Sequence, residues 1–133
     1  MKYTILFILT LTSYFSFGQS IEAPPPPDTN MVYQVTQYMP DYPGGYDAMM
    51  WFIKQNIQYP DAARINNVQG RVVIGFVVER DGSLTNVTIK KSVSPEIDKE
   101  AVRIVSLFPK FIPGKQQGTT VRVQYNIPIW FKL

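Results

Sequence analysis

The sequence contains neither cysteine nor histidine among its 133 residues. Without cysteine, the chain can form no disulfide, no thiolate nucleophile and no cysteine-ligated zinc or iron–sulfur cluster. Without histidine, it lacks the usual general base near neutral pH and the commonest metal ligand. The remaining candidates for catalysis, such as Asp47, Glu79 and Asp81, stand where helix starts and turns commonly place carboxylates. We therefore expect a protein that is not an enzyme, with no catalytic residues, no metal and no cofactor.

The net positive charge of the chain is also small. The formal net charge is +3, and the arginines are dispersed along the chain instead of forming a basic patch: Arg64, Arg71, Arg80, Arg103 and Arg122. Nucleic-acid binding usually needs such a patch. We therefore expect no nucleic-acid partner.

The N-terminus has the pattern of an export signal. Met1 and Lys2 precede an apolar run over residues 3–17, and small residues stand at its end, at Ser16 and Gly18. This predicts a signal peptide over residues 1–19. The alternative is a short membrane anchor, although the apolar run would span only about 21 Å as a helix, against about 30 Å of bilayer hydrocarbon.

A linker is predicted over residues 20–41. It contains four successive prolines, residues 24–27, which favour an extended polyproline segment. Residues 32–35 are weakly strand-like. The turn-rich sequence around residues 39–45 marks the start of a compact domain, which we place at residues 42–133.

Helical spacing occurs twice within this domain. Apolar side chains recur at helical intervals over residues 46–57 and again over residues 97–108. Ser94 and Pro95 supply an N-cap hydroxyl and a proline at the first helical position of the second helix. A short helical turn is expected after Pro60. The apolar stripe of the first helix, which includes Met49 and Met50, is interpreted as core.

Three strands are predicted. Residues 70–80 are apolar on both faces, as in a central strand, and Asp81–Gly82 supplies a hairpin turn. Residues 84–93 form the returning strand, with Val87, Ile89 and Val93 on one face. Residues 120–132 alternate strictly between apolar and polar side chains, which predicts a half-buried antiparallel strand.

Pro128 gives information about the neighbours of this last strand. Proline has no N–H and is normally confined to edges or bulges. If Pro128 faces an open edge, the backbone groups of Arg122, Gln124 and Asn126 face the same edge, because strand residues alternate. A bulge at Pro128 is the alternative. An open edge either binds an extended partner strand or is merely protected from aggregation by its charged residues.

Several ordered motifs resemble the C-terminal domain of the TonB family, in the version common in Bacteroidetes. They are the sequences of residues 42–45, 59–64, 70–76 with Asp81–Gly82, 86–89, 111–115 and the final strand. The resemblance implies an α+β fold in which helices pack on a three-stranded antiparallel sheet. It implies partner binding, by strand addition, at the following residues: Thr120, Val121, Arg122, Val123, Gln124, Tyr125 and Asn126.

The partners implied by the resemblance are outer-membrane TonB-dependent receptors that import iron chelates, vitamins or glycans. An inner-membrane proton-driven motor complex is a further partner if residues 4–17 stay attached as an anchor. The predicted location is the periplasm, reached through the signal peptide, and the alternative is an inner-membrane anchor facing the periplasm. A function of a different class is a structural or assembly domain that forms a homodimer through the same edge strand.

Overall fold

A computed structural model describes residues 22–133; the predicted signal peptide lies outside the described residues. The elements in chain order are β1 (Val32–Tyr33), α1 (Tyr46–Asn56), α2 (Asp61–Ile65), β2 (Gly70–Val78), β3 (Leu84–Lys91), α3 (Pro95–Ser106), β4 (Gly114–Gln116) and β5 (Thr119–Phe131). The fold is α+β, as predicted. Within residues 22–133, no helix combines the length and the apolar character needed to cross a bilayer.

The sheet has the strand order β1-β5-β2-β3, and β4 pairs with the first residues of β5. β2 is central, as its two apolar faces predict, and pairs antiparallel with both β3 and β5. The sheet therefore has five strands where three were expected, and the additional strands are the short β1 and β4. β1 runs parallel to β5, so the sheet is mixed.

The core lies between one face of the sheet and the helices. The inward side chains of β2 and β5 are almost completely buried, including Phe76 and Phe131. They pack against apolar side chains of α1 and α3, including Met49 and Ile104. The hydroxyl of Ser94 accepts a hydrogen bond from the Ile97 amide at 3.3 Å, which confirms the predicted N-cap of α3.

β3 departs from the predicted alternation. Its register against β2 shifts twice, and Asn86 has a positive φ of 50°. Such shifts mark β-bulges, which change the face on which the following side chains lie. Val87, which was predicted to share a face with Ile89 and Val93, is 36% exposed and lines a surface depression with Leu84 and Val105.

Residues 30–41, which belong to the predicted linker, form backbone hydrogen bonds with the β4–β5 hairpin and the residues beside it. β1 pairs with β5 at Arg122 and Val123. Tyr38 and Lys115 exchange backbone hydrogen bonds of 3.0 and 2.8 Å, and Asp41 pairs with Ile112 in the same way. The packed part of the chain thus begins N-terminal to residue 42, because these backbone groups find partners across the hairpin.

Candidate functional site at the free edge of β5

The orientation of the backbone of β5 follows from its pairing with β2. The register runs without a shift from Gly70 opposite Phe131 to Val78 opposite Val123. A bulge at Pro128 is thereby excluded. Because Pro128 has no N–H to give to β2, the odd-numbered residues of β5 bond to β2 and the even-numbered ones face the other edge.

β1 covers part of that other edge, and this corrects the prediction of an edge open along its whole length. β1 pairs with β5 opposite Arg122 and Val123. No described segment pairs with the edge C-terminal to these residues. Within residues 22–133 the open part therefore begins at Gln124 and extends toward Trp130.

The seven residues predicted to bind a partner fall into three environments. Thr120 and Val121 pair with β4, and Arg122 and Val123 lie beside β1. Tyr125 bonds toward β2, and its half-buried ring packs against Phe76 with the ring centres 5.8 Å apart. The backbone C=O of Gln124 and both backbone groups of Asn126 face the open edge, while the Gln124 N–H is directed to β1. Partner binding at these seven residues stays a prediction.

An ion pair stabilises the covered end of the edge. The Arg122 guanidinium donates to both carboxylate oxygens of Glu79, at 2.8 and 3.0 Å, and to the Asn30 carbonyl at 3.1 Å. The Thr85 hydroxyl donates to the same carboxylate at 2.6 Å. The hydrogen bonds from Arg122 hold the pKa of Glu79 below its ordinary value. Arg122 of β5 is thus linked to the residue that follows β2 and to the segment that precedes β1.

We expect this ion pair to make stability depend on pH below neutrality. A carboxylate whose pKa is lowered by folding stabilises the folded state above its unfolded pKa, and that stabilisation is lost as pH falls through the folded pKa. Thermal unfolding measured from pH 6 down to pH 3 should show a smaller loss of stability in E79Q than in the unchanged chain. R122Q removes the same pair and should behave alike. A full loss in both variants would contradict the assignment.

Helix α1 borders the open part of the edge. A cavity of about 210 Å³ lies between the helix and β5, and it is lined by Met50, Ile53, Lys54, Ile57, Pro128, Ile129 and Trp130. Trp130 is 57% exposed. The Arg71 guanidinium carbon and the Lys132 Nζ lie 5.6 and 5.5 Å from the centre of its ring. The edge is thus flanked by apolar and cationic side chains.

Sequence reasoning missed the side of the site that α1 and Trp130 form. Met50 and Ile57 belong to the apolar stripe of α1, which was assigned to the core, and both are only half-buried. The strict alternation of residues 120–132 already placed Trp130 on the solvent face of β5. An exposed tryptophan next to a proline at a strand edge is the signal that could have indicated the site.

A larger depression of about 610 Å³ lies away from the edge, between α2 and α3. Its most buried polar group, the Glu100 carboxylate, accepts hydrogen bonds from the Gln58 amide at 2.6 Å and from Arg103. Arg103 also donates to the Asn56 carbonyl at 2.7 Å. These groups satisfy one another and fix the loop between α1 and α2 onto α3. Among residues 22–133, no three acidic side chains lie close enough together to hold a metal ion.

The sequence matches the family described as Gram-negative bacterial TonB protein C-terminal over residues 55–133. One relative is the protein TonB of Helicobacter pylori strain J99, which is 29% identical over 80 residues, or 56% of this chain. The alignment spans only 28% of the length of that relative.

Two solved structures are similar to part of this chain. The solution structure of the Helicobacter pylori TonB C-terminal domain (residues 179–285) is 24% identical, with a TM-score of 0.50, and the match covers 64% of this chain and 77% of that one. The Pseudomonas aeruginosa TonB C-terminal domain is 27% identical, with a TM-score of 0.46, over 57% and 77% of the two chains. The first likeness agrees with the α+β fold.

Proposed function

The chain belongs to the family of Gram-negative bacterial TonB C-terminal domains, and from this premise we propose that it binds extended N-terminal segments of outer-membrane TonB-dependent receptors. In this proposal it acts in the transport of nutrients such as siderophores or vitamins across the outer membrane. The observation that carries the proposal is the open edge of β5 from Gln124 onward.

The edge offers the chemistry that strand addition needs. Asn126 presents a backbone N–H and C=O to the open side, and Gln124 presents its C=O, because the parallel pairing of Tyr33 with Val123 directs the Gln124 N–H to β1. An extended segment can pair with these groups. Main-chain pairing supplies affinity for many sequences, and side chains next to the edge supply selectivity. Pro128 interrupts the row of donors two residues further on. The pairing segment is therefore short.

The proposal also includes a location. We place the chain in the periplasm, exported through the signal peptide predicted over residues 1–19. An inner-membrane motor complex is a partner only if residues 4–17 remain attached as an anchor. N-terminal sequencing of the protein recovered from the cell envelope decides between the two: a start near Gln19 or Ser20 supports the exported form, and an intact Met1 supports the anchored one.

Peptide titration tests the binding. Eight-residue peptides copied from the N-termini of outer-membrane TonB-dependent receptors should shift the amide signals of Gln124 and Asn126 at up to millimolar concentration. The amide signals of β3, which lies at the opposite edge of the sheet, are the internal control and should not move. Unchanged signals at Gln124 and Asn126 with every peptide at millimolar concentration would refute the proposed function.

Sedimentation tests the alternative of a homodimer. If the open edge serves to join two copies of this chain, the sedimentation coefficient should rise with protein concentration, and added peptide should lower it again. A monomer at all concentrations excludes the dimer, whereas a stable dimer that peptide does not dissociate would count against receptor binding.

A further inference from the structure

The cavity between α1 and β5 has the size of a side-chain site. Its volume of about 210 Å³ is below the roughly 300 Å³ at which pockets for small molecules begin. Apart from Lys54, the side chains that line it are apolar. A cavity of this size and lining suits one large aliphatic or aromatic side chain.

The position of the cavity relates it to the open edge. Pro128 and Trp130 line the cavity and also belong to the even-numbered residues of β5 that face this edge. A partner strand that pairs with Gln124 and Asn126 finds no backbone donor at the next edge-facing residue, because Pro128 has no N–H. Its following side chain then lies beside the cavity mouth, where apolar contact replaces the missing hydrogen bond.

The charge around the cavity has one sign. Lys54 is part of its wall, and Arg71 and Lys132 flank the Trp130 ring. Within residues 22–133, none of these three cations has a carboxylate at ion-pair distance. Charge complementarity therefore favours a carboxylate in the partner, next to the apolar side chain.

We propose that this cavity receives one large apolar side chain of the partner segment and that Lys54, Arg71 and Lys132 select an acidic residue beside it. The inference rests on the proposed function, because the main chain of the same segment pairs with Gln124 and Asn126. It makes the partner an extended segment with an apolar anchor and a carboxylate. Met50 and Ile57 become contact residues that lie outside β5.

Three synthetic peptides test the proposal on the full chain. The parent is an octapeptide of threonines, acetylated at its N-terminus and amidated at its C-terminus, with a single leucine at position 6 and an aspartate at position 8; the others carry alanine for leucine or asparagine for aspartate. W51F leaves Trp130 as the one remaining tryptophan, and its fluorescence reports binding. We expect roughly tenfold weaker binding without leucine and about threefold weaker binding without aspartate, the latter difference vanishing in high salt.

Charge reversal in the protein gives an independent readout. K54E should weaken the preference, so that octapeptides with aspartate and with asparagine at position 8 bind more nearly equally, because Arg71 and Lys132 are the cations that remain. K99E is the matched control, because it reverses an exposed lysine on α3, outside the cavity, and should keep the original preference. An unchanged preference in K54E would contradict the role of Lys54.

The outcomes separate the two proposals. If all peptides bind equally well and shift the amide signals of Gln124 and Asn126, the edge binds and the cavity is not a selectivity site. If no peptide, including the receptor-derived ones, shifts these amides, the proposed function fails and the inference fails with it. Leucine-dependent binding seen at Trp130, together with the amide shifts, supports both.

Discussion

Replacing Gly82 with alanine is expected to destabilise the domain by about 3 kcal/mol or more. Gly82 has a φ of +87°, and a Cβ there would lie only 2.0 Å from the Phe111 carbonyl oxygen. Positive φ costs a non-glycine residue about 1 kcal/mol or more, and forced overlap in a packed region costs a further 1–3 kcal/mol. Because the Phe111 amide also donates to the Gly82 carbonyl at 2.8 Å, the hairpin cannot simply move away. Urea unfolding of G82A checks the loss.

Gly118 provides the matched control. It also has a positive φ, of +75°, but apart from the glycine itself and its two chain neighbours no atom of residues 22–133 lies within 4 Å of the position that its Cβ would occupy. G118A should therefore cost only the backbone strain, about 1 kcal/mol. The difference between the two variants measures the contact between the β2–β3 hairpin and Phe111. Equal losses in G82A and G118A would show that this contact contributes nothing.

This contact matters for the edge as well as for stability. The Phe111 ring packs against Phe76 and Tyr125, with ring centres 5.5 and 5.7 Å away. Tyr125 lies between Gln124 and Asn126 in β5. Phe111, which contacts the β2–β3 hairpin, therefore also packs against the inner face of the open edge. We infer that weakening its contact with the hairpin makes the open edge less rigid.

The regular part of the fold could be predicted because its signals are local. The apolar spacing of α1 and α3, the two apolar faces of β2 and the alternation of β5 each identify an element and its buried side. These patterns arise from the core itself, since every buried side chain must lie on the inward face of its own helix or strand. The central position of β2 and the N-cap at Ser94 are confirmed for this reason.

β1 was indicated only as a weakly strand-like segment, and β4 was not predicted. β1 and β4 are short, and the backbone partners of β1 lie far along the sequence. The bulges of β3 depend on Asn86 adopting a positive φ, which no alternation pattern records. Sequence reasoning therefore missed the pairing of β1 with β5, and it overestimated how much of β5 is open.

The candidate site was predicted in part. The missing N–H of Pro128 was enough to orient the backbone of β5, because alternate residues of a regular strand direct their backbone groups to opposite edges. The α1 side of the site could not be found in this way. A half-buried Met50 or Ile57 leaves the same periodic pattern as a core residue, and only the packed structure distinguishes a wall of the core from a wall of a cavity.

Replacing Asn126 with proline is expected to weaken receptor-peptide binding at least about tenfold while leaving the domain folded. The substitution removes a backbone donor that faces the open edge, so a carbonyl of the paired peptide is left without its partner, a loss of about 1–3 kcal/mol. The β2–β5 ladder keeps its hydrogen bonds, since the even-numbered residues do not donate to β2. Pro128 shows that proline fits this strand two residues further on. Isothermal titration with the receptor peptides checks the affinity.

N126T is the control for this experiment. It changes the Asn126 side chain, whose Oδ1 accepts a 3.0 Å hydrogen bond from the Gln124 side-chain amide. It keeps the backbone N–H of residue 126. Peptide affinity in N126T should therefore stay within about threefold of the unchanged chain, whereas N126P should lose most of it. Thermal unfolding of both variants shows that the strand is intact, with losses of at most about 1 kcal/mol. Full peptide affinity in a folded N126P would contradict main-chain pairing at Asn126, because a strand paired there must lose affinity without that donor.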